Sequence, residues 1–259
     1  GVAHETAPFN DCGGGMWWNF MEGMLPHYLK SLIVRIQSTT ILLVAWLLAG
    51  QLIFLSADEP KGGWNKRPPQ TIQVPKDHAR IQEAIDVASN GDTVLVAPGV
   101  YREQLRLQGK QITLASRFLT SRDSKDIQRT VLDGLISHDE KNTRGKTLIT
   151  VAQDVGSKTR IIGFTIQNGD DGISCASKIE IAHNHFINNG DAIDYESGGG
   201  ICRANTFEKN RDDAVDLDGA SEVVIEDNVI RNNGDDGIEI RLHKYSGKML
   251  NIVIRRNQI

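Results

Sequence analysis

The sequence predicts an all-β solenoid: a chain wound into stacked coils of short parallel strands, delivered across a membrane by a hydrophobic segment near its start. Three observations carry this. An N-x-D-x-I core recurs four times between Asn168 and Ile238, and a separate asparagine column keeps almost the same period. The 25 glycines and 6% aromatic residues suit short strands and tight turns better than a helical bundle. A stretch without charge from Ile36 to Ala57 stands apart from everything that follows.

The length of 259 residues accommodates one large domain. Net charge is -4, so no general basic surface exists and nucleic acid is not expected as a partner. The three cysteines, Cys12, Cys175 and Cys202, form neither a disulfide framework nor a metal-site spacing. Cys175 and Cys202 fall at apolar repeat positions on different strands and are expected as small buried thiols.

Residues 1–35 are expected to be unstructured or artefactual; residues 1–23 carry no pattern, and Met24 could be the true start, so they are set aside. The span 36–57 is long enough to cross a bilayer as a helix, which takes roughly 20 apolar residues. Lys30 and Arg35 precede it and Asp58 and Glu59 follow, so the C-terminal part is expected outside the cytoplasm: secreted, periplasmic or cell-surface. Leu55-Ser56-Ala57 is a poor cleavage site because Leu55 is large, which favours a transmembrane anchor over a signal peptide. Residues 58–70, with Pro60, Gly62, Gly63, Pro68 and Pro69, read as a linker. The folded domain is expected over 71–259. The sequence stops within a strand at Ile259, so further chain or a covering partner is expected there.

Asp77 to Asn90 reads as an amphipathic helix, with Ile81, Ala84, Ile85 and Ala88 on one face, Asp77 as N-cap and Gly91 at the C-terminal end. Its apolar face is expected to close the open end of the first coil, because terminal units of a solenoid must shield the core. Strands are expected at Thr93–Val96, Tyr101–Leu107 and Gln111–Leu114.

The four repeat copies end on Ile173, Ile193, Val215 and Ile238, with steps of 20, 22 and 23. Asn184, Asn205, Asn228 and Asn257 follow with steps of 21, 23 and 29. One coil cannot bury its apolar face alone, and stacking makes a continuous core. Ile181, Cys202, Ile225 and Ile254 should point inward on one strand and the four repeat-ending residues on another. Glu180, Arg203, Glu226 and Arg255 should point outward. Asparagines at one corner can hydrogen-bond from coil to coil and tolerate a left-handed backbone. A leucine-rich repeat would need a leucine signature that is missing, and a propeller blade would need about twice the period.

The acidic columns are the candidate chemistry. Asp171, Asp191, Asp213 and Asp236 occupy equivalent turn positions, so they should lie about 4.8 Å apart. Asp170, Asp212 and Asp235 form a neighbouring partial column. On the following strand Asp194, Asp216 and Glu239 face outward in register, with Glu196 and Asp218 two residues on. Stacked carboxylates repel unless solvated, protonated or bound to a cation such as Ca²⁺. Turn aspartates can equally serve backbone N–H groups, which leaves a structural role open for that column. His183 and His185 flank Asn184 without an evident third ligand, and read as surface or corner residues. There is no phosphate loop, nucleotide fingerprint or serine elbow.

Two segments resemble known families. Ile81-Gln82-Glu83-Ala84-Ile85 through Gly91-Asp92-Thr93-Val94-Leu95-Val96-Ala97-Pro98-Gly99-Val100-Tyr101 is similar to the opening of pectin-lyase-like proteins, which implies a right-handed parallel β-helix. Asp212-Asp213-Ala214-Val215-Asp216-Leu217 looks like the D-D-x-x-D-L motif of calcium-dependent β-helix pectate lyases. That resemblance implies Ca²⁺ held by Asp191, Asp212, Asp213 and Asp216, and β-elimination on an acidic polysaccharide after a base removes a C5 proton. The position where the base would stand holds Glu239; Arg241 and Lys244 are near but out of register, and are the remaining candidates. Asp194, Asp236 and Glu239 would line the substrate groove. A hydrolase using two of the carboxylates is a further chemistry open to the same residues. A non-catalytic surface scaffold or adhesion module, whose acidic columns bind ions for stability, is the alternative.

Overall fold

The computed structural model describes residues 67–135, 146–242 and 245–259. The segments 1–35 and 36–57, the linker up to 66, Cys12 and Lys244 lie outside the described residues. No helix among the described residues is long and apolar enough to cross a membrane.

Three parallel sheets run the length of the domain. The first has eight strands, at Thr71–Val74, Thr93–Val96, Thr113–Ser116, Arg160–Ile162, Lys178–Ala182, Gly199–Arg203, Glu222–Glu226 and Val253–Arg255. The second has six, from Gly99–Tyr101 through His185–Ile187 and Thr206–Glu208 to Val229–Arg231. The third also has six: Leu105–Leu107, Ile149–Val151, Asp171–Cys175, Asp191–Glu196, Val215–Asp218 and Glu239–Ile240. Six coils contribute one strand to every sheet, Thr71–Val74 and Val253–Arg255 extend the first sheet at either end, and each strand pairs with its equivalent one coil on. The fold is therefore the expected parallel β-solenoid.

Period-2 alternation turns one side chain in two towards the interior. In the first sheet Leu114, Ile161, Ile181, Cys202 and Ile225 stand in register and are buried. Ile149, Ile173, Ile193 and Val215 do the same in the third. In the second sheet Phe186 and Phe207 stack with ring centroids 5.0 Å apart. Ile254 keeps its register with Ile225 but is 44% exposed, and Ile238 is only partly buried, because both belong to the final coil described.

The corner between the first and second sheets carries the asparagine ladder. The Asn184 carboxamide N–H donates to Asn205 Oδ1 (3.3 Å), Asn205 to Asn228 (3.1 Å) and Asn228 to Asn257 (3.0 Å). Each also donates to a carbonyl one coil back, as Asn205 does to Ile181 (2.9 Å). A second ladder, Asn189–Asn210–Asn233, runs along the corner between the second and third sheets. One expectation is corrected. The left-handed residue is the one before the ladder position, namely His183, Ala204, Asp227 and Arg256, with φ of 53–57°. The asparagine is kept for its amide, which donates and accepts at once along the axis.

The N-terminal helix, α1, spans Ile81–Val87 and is shorter than the expected Asp77–Asn90. Its face was read correctly: Ile81, Ala84 and Ile85 are buried in the main core. Its ends were not. Asp77 closes a turn instead, accepting the Gln73 N–H at 2.8 Å. The first helical N–H groups, of Ile81 and Gln82, donate to the Glu103 carboxylate at 3.0 and 3.2 Å. Asn90 spends its carboxamide oxygen on the Gln111 N–H. That use of Glu103 also splits the expected Tyr101–Leu107 strand into Gly99–Tyr101 and Leu105–Leu107, with the corner between them turned towards α1.

Asp92, fully buried, accepts from the Gln70 and Ser89 N–H groups (2.9 and 2.8 Å) and from the Arg67 guanidinium. Residues 67–70, expected as linker, thus dock on the first coil. Two short helices went unread in the sequence, α2 (Phe118–Ser121) and α3 (Ser124–Arg129). They interrupt the third coil and shelter a small cluster of Ala115, Phe118 and Ile162. At four and six residues they are too short to show a helical period.

Candidate metal centre

The outer face of the third sheet brings the acidic residues together. Asp194, Asp216 and Glu239 are direct register partners on successive strands, and Glu196 pairs with Asp218. Consecutive members of these columns lie about 4.8 Å apart, the spacing of neighbouring strands. The turn column forms too. Asp171 pairs with Asp191; Asp191 Oδ1 accepts the Asp213 N–H (3.0 Å) and Asp213 Oδ1 accepts the Asp236 N–H (2.7 Å). Asp171 takes a hydrogen bond from the Thr147 hydroxyl (2.7 Å). Asp191 and Asp213 therefore do satisfy backbone groups, each for the coil that follows.

Two groups of three carboxylates converge, each with ligand atoms within 4.8 Å of one another: Asp191, Asp212 and Asp213, and Asp213, Asp216 and Glu239. The four residues expected to ligate together are divided. Asp216 joins Glu239 rather than Asp191, and the buried Asp213 is common to both groups. Asp194 stands in the same outward column. Asp236 is exposed on the corner, with its N–H given to Asp213.

Arg241 lies among these acids. Its Nη2 donates to Asp216 Oδ2, and its Nε is 3.1 Å from Glu239 Oε2 and 3.2 Å from Asp218 Oδ1. It stands two residues beyond Glu239, out of that column's register as its spacing implies. The long side chain spans the offset. The hydrogen bond to Asp216 and the surrounding negative charge raise the Arg241 pKa further above its ordinary value, so it acts as a fixed cation.

The wall is under electrostatic tension. Burial, reinforced by Glu196, Asp171 and Asp216, pushes the Asp194 carboxyl up to about 7. Burial and contact with Asp213 push Glu239 up to about 7. Burial raises Asp191 to about 6, against the stabilising N–H of Asp213. Asp216 is raised by burial in spite of Arg241. Asp216 Oδ1 and Asp194 Oδ1 are sealed from water without a hydrogen-bond partner. Buried polar atoms ordinarily have one, and an orphaned carboxylate oxygen beside other acids has the chemistry of a cation ligand.

These donors fit calcium, which takes six to eight oxygens and tolerates irregular geometry. They are all hard oxygens, and no group of three potential ligands among the described residues includes histidine or cysteine. His183 packs its ring 5.0 Å from Phe118, and His185 Nε2 lies 3.5 Å from Glu208; burial lowers both pKa values. Cys175 and Cys202 are free and buried, their thiols pushed up to about 11 and about 12 by burial.

Comparison with known proteins adds one finding. Residues 149–259, less than half of the chain, match the family model described as the right handed beta helix region. No curated protein and no solved structure matches. The coils before 149 continue the same sheets, Leu105 pairing with Ile149 and Leu114 with Ile161.

Proposed function

Residues 149–259 are a right-handed β-helix region, and from that scaffold we propose that the protein binds acidic polysaccharide outside the cytoplasm through Ca²⁺ held on its third-sheet wall. The single observation behind this reading is the pair of carboxylate groups that share Asp213 and leave Asp216 Oδ1 without a partner. Calcium bound there would neutralise the wall and present a positive charge to a sugar carboxylate. Asp194, Asp236 and Glu239 would border the path of the polymer. β-Elimination is the chemistry such a site could perform, since a metal-held uronate acidifies its C5 proton. A carboxylate such as Asp194 can accept a proton, which the permanently charged Arg241 guanidinium cannot. Delivery would rest on the apolar segment 36–57 with its basic N-terminal flank. Helix α1, with its apolar face in the core, would close that end of the coil stack.

A second reading has its own support. Asp191 and Asp213 each accept an N–H from the next coil, so the acids also serve a scaffold whose ions stabilise it without catalysis. The two separate in one experiment. Polygalacturonate and alginate are offered with and without calcium, and both retention and the ultraviolet absorbance of unsaturated uronates are followed. Calcium-dependent retention lost in Asp213→Asn supports binding, and a rise in absorbance adds elimination. Calcium that raises thermal stability without retention of either polymer leaves the scaffold.

A further inference from the structure

We propose that Arg241 is a built-in stand-in for the divalent cation, displaced when the ion binds, and that its freed guanidinium then receives the carboxylate of the acidic sugar. The inference rests on the calcium reading above and assigns Arg241 as a specificity residue of that same site.

The contacts of Arg241 are the starting point. It donates to Asp216 and reaches Glu239, the two acids that converge with Asp213 in one group. Its third partner, Asp218, lies two residues further along the same strand. In the cation-free chain the charge that balances this triad is therefore a side chain of the protein. It balances it incompletely. A guanidinium presents its N–H groups in one plane, and those of Arg241 go to Asp216, Glu239 and Asp218 and not to Asp213. Asp216 Oδ1 shows the shortfall: the residue is 2% exposed, its other oxygen holds Arg241, and this one has no partner. A spherical cation can take that oxygen together with those of Asp213 and Glu239.

Arg241 and the ion cannot both keep the site. A cation on Asp216 and Glu239 would stand about 4 Å from the guanidinium, where like charges repel. The Arg241 side chain is 50% exposed, so it can swing out without opening the core. Once turned outward it stands beside the metal on the polymer-facing wall. A guanidinium that has lost its carboxylates pairs best with another carboxylate, in the bidentate form that arginine favours. Calcium binding would thus prepare the second half of an anion site, and acidic sugar would bind only after the ion.

Calorimetric titration of the full chain with calcium chloride alone tests the displacement. Removing the competitor in Arg241→Gln is expected to tighten calcium binding about tenfold, and Arg241→Lys, which keeps a charge but not the fork, should fall between. Asp216→Asn should abolish the tight site in either background. Polygalacturonate binding at saturating calcium is then expected to weaken about tenfold in Arg241→Gln. An Arg241→Gln protein that binds calcium no more tightly than the parent overturns the stand-in role. Full polymer affinity in that variant overturns the sugar contact. Absence of calcium binding from both proteins removes the cation reading itself. If calcium binds but the parent ignores polygalacturonate, that polymer is not the ligand, while the calcium titrations still decide the displacement.

Discussion

The outer faces of the first and third sheets are built on the same strand spacing and carry charges in opposite ways. On the first sheet, signs alternate. Glu180 sits between Arg160 (2.7 Å) and Arg203 (2.6 Å), and Glu226 is held by Arg255 (2.7 Å) and Arg256 (2.8 Å). Burial works against the Glu180 charge, yet hydrogen bonds from the two arginines outweigh it and keep its carboxyl below the usual range. The bond from Arg255 does the same for Glu226. On the third sheet Asp194, Asp216 and Glu239 follow one another with Arg241 as the cation paired, among the described residues, to Asp216 and Glu239, and every one of the three is raised. A solenoid can therefore neutralise a charge column coil by coil. One wall is neutralised by the chain itself, and the other keeps an excess of acid, which is the excess the proposed calcium would balance.

The largest expected effect tests the register on which the comparison stands. Asn205→Ala removes a carboxamide that donates to Ile181 O and Asn228 Oδ1 and accepts the Asn184 N–H. Stranding those buried groups should cost about 3 kcal/mol in urea denaturation; a loss below about 1 kcal/mol would mean that the ladder does not hold the coils.

Calcium and pH should separate the walls next. A carboxyl whose folded pKa is raised stabilises the fold fully below its unfolded value of about 4 and loses that contribution as pH rises through the folded value. With Asp191 at about 6 and Asp194 and Glu239 at about 7, melting temperature in the presence of a chelator should fall between pH 5 and pH 8. Calcium at a hundred times its Kd should restore about 2.7 kcal/mol at pH 8. Glu180 and Glu226, being lowered, stabilise above about pH 4 and lose that contribution only as pH falls further. A melting temperature flat from pH 5 to pH 8 would erase the contrast.

A smaller gain is expected from Asp213→Asn. Its side-chain oxygen can still accept the Asp236 N–H, while one charge leaves the cluster. At pH 8 without calcium it should be about 1 kcal/mol more stable than the parent, and it should no longer respond to calcium. The opposite wall should show the smallest change. Arg203→Gln, removing a partly exposed partner of Glu180, should cost about 0.5 kcal/mol and cost less in high salt.

Repetition alone determined the solenoid, because stacking converts a period of 20 to 23 residues into registered columns. Ile193 over Val215, Asn205 over Asn228 and Asp194 over Asp216 could be written down without coordinates. Features outside the period were not legible: helices α2 and α3, the capture of α1 by Glu103, and the docking of Arg67 on Asp92. The two helices are too short to show a period, and the other two depend on a side chain meeting groups more than twenty residues away with no repeat to announce it. The same holds at the site. Sequence set acidic columns along one wall, but only the folded chain drew Asp191, Asp212, Asp213, Asp216 and Glu239 into two groups about Asp213 and laid Arg241 across one of them. Column membership follows from backbone register, which the sequence period encodes. Which oxygens converge, and which one is left without a partner, depends on side-chain reach and burial, and those exist only once the coils are stacked.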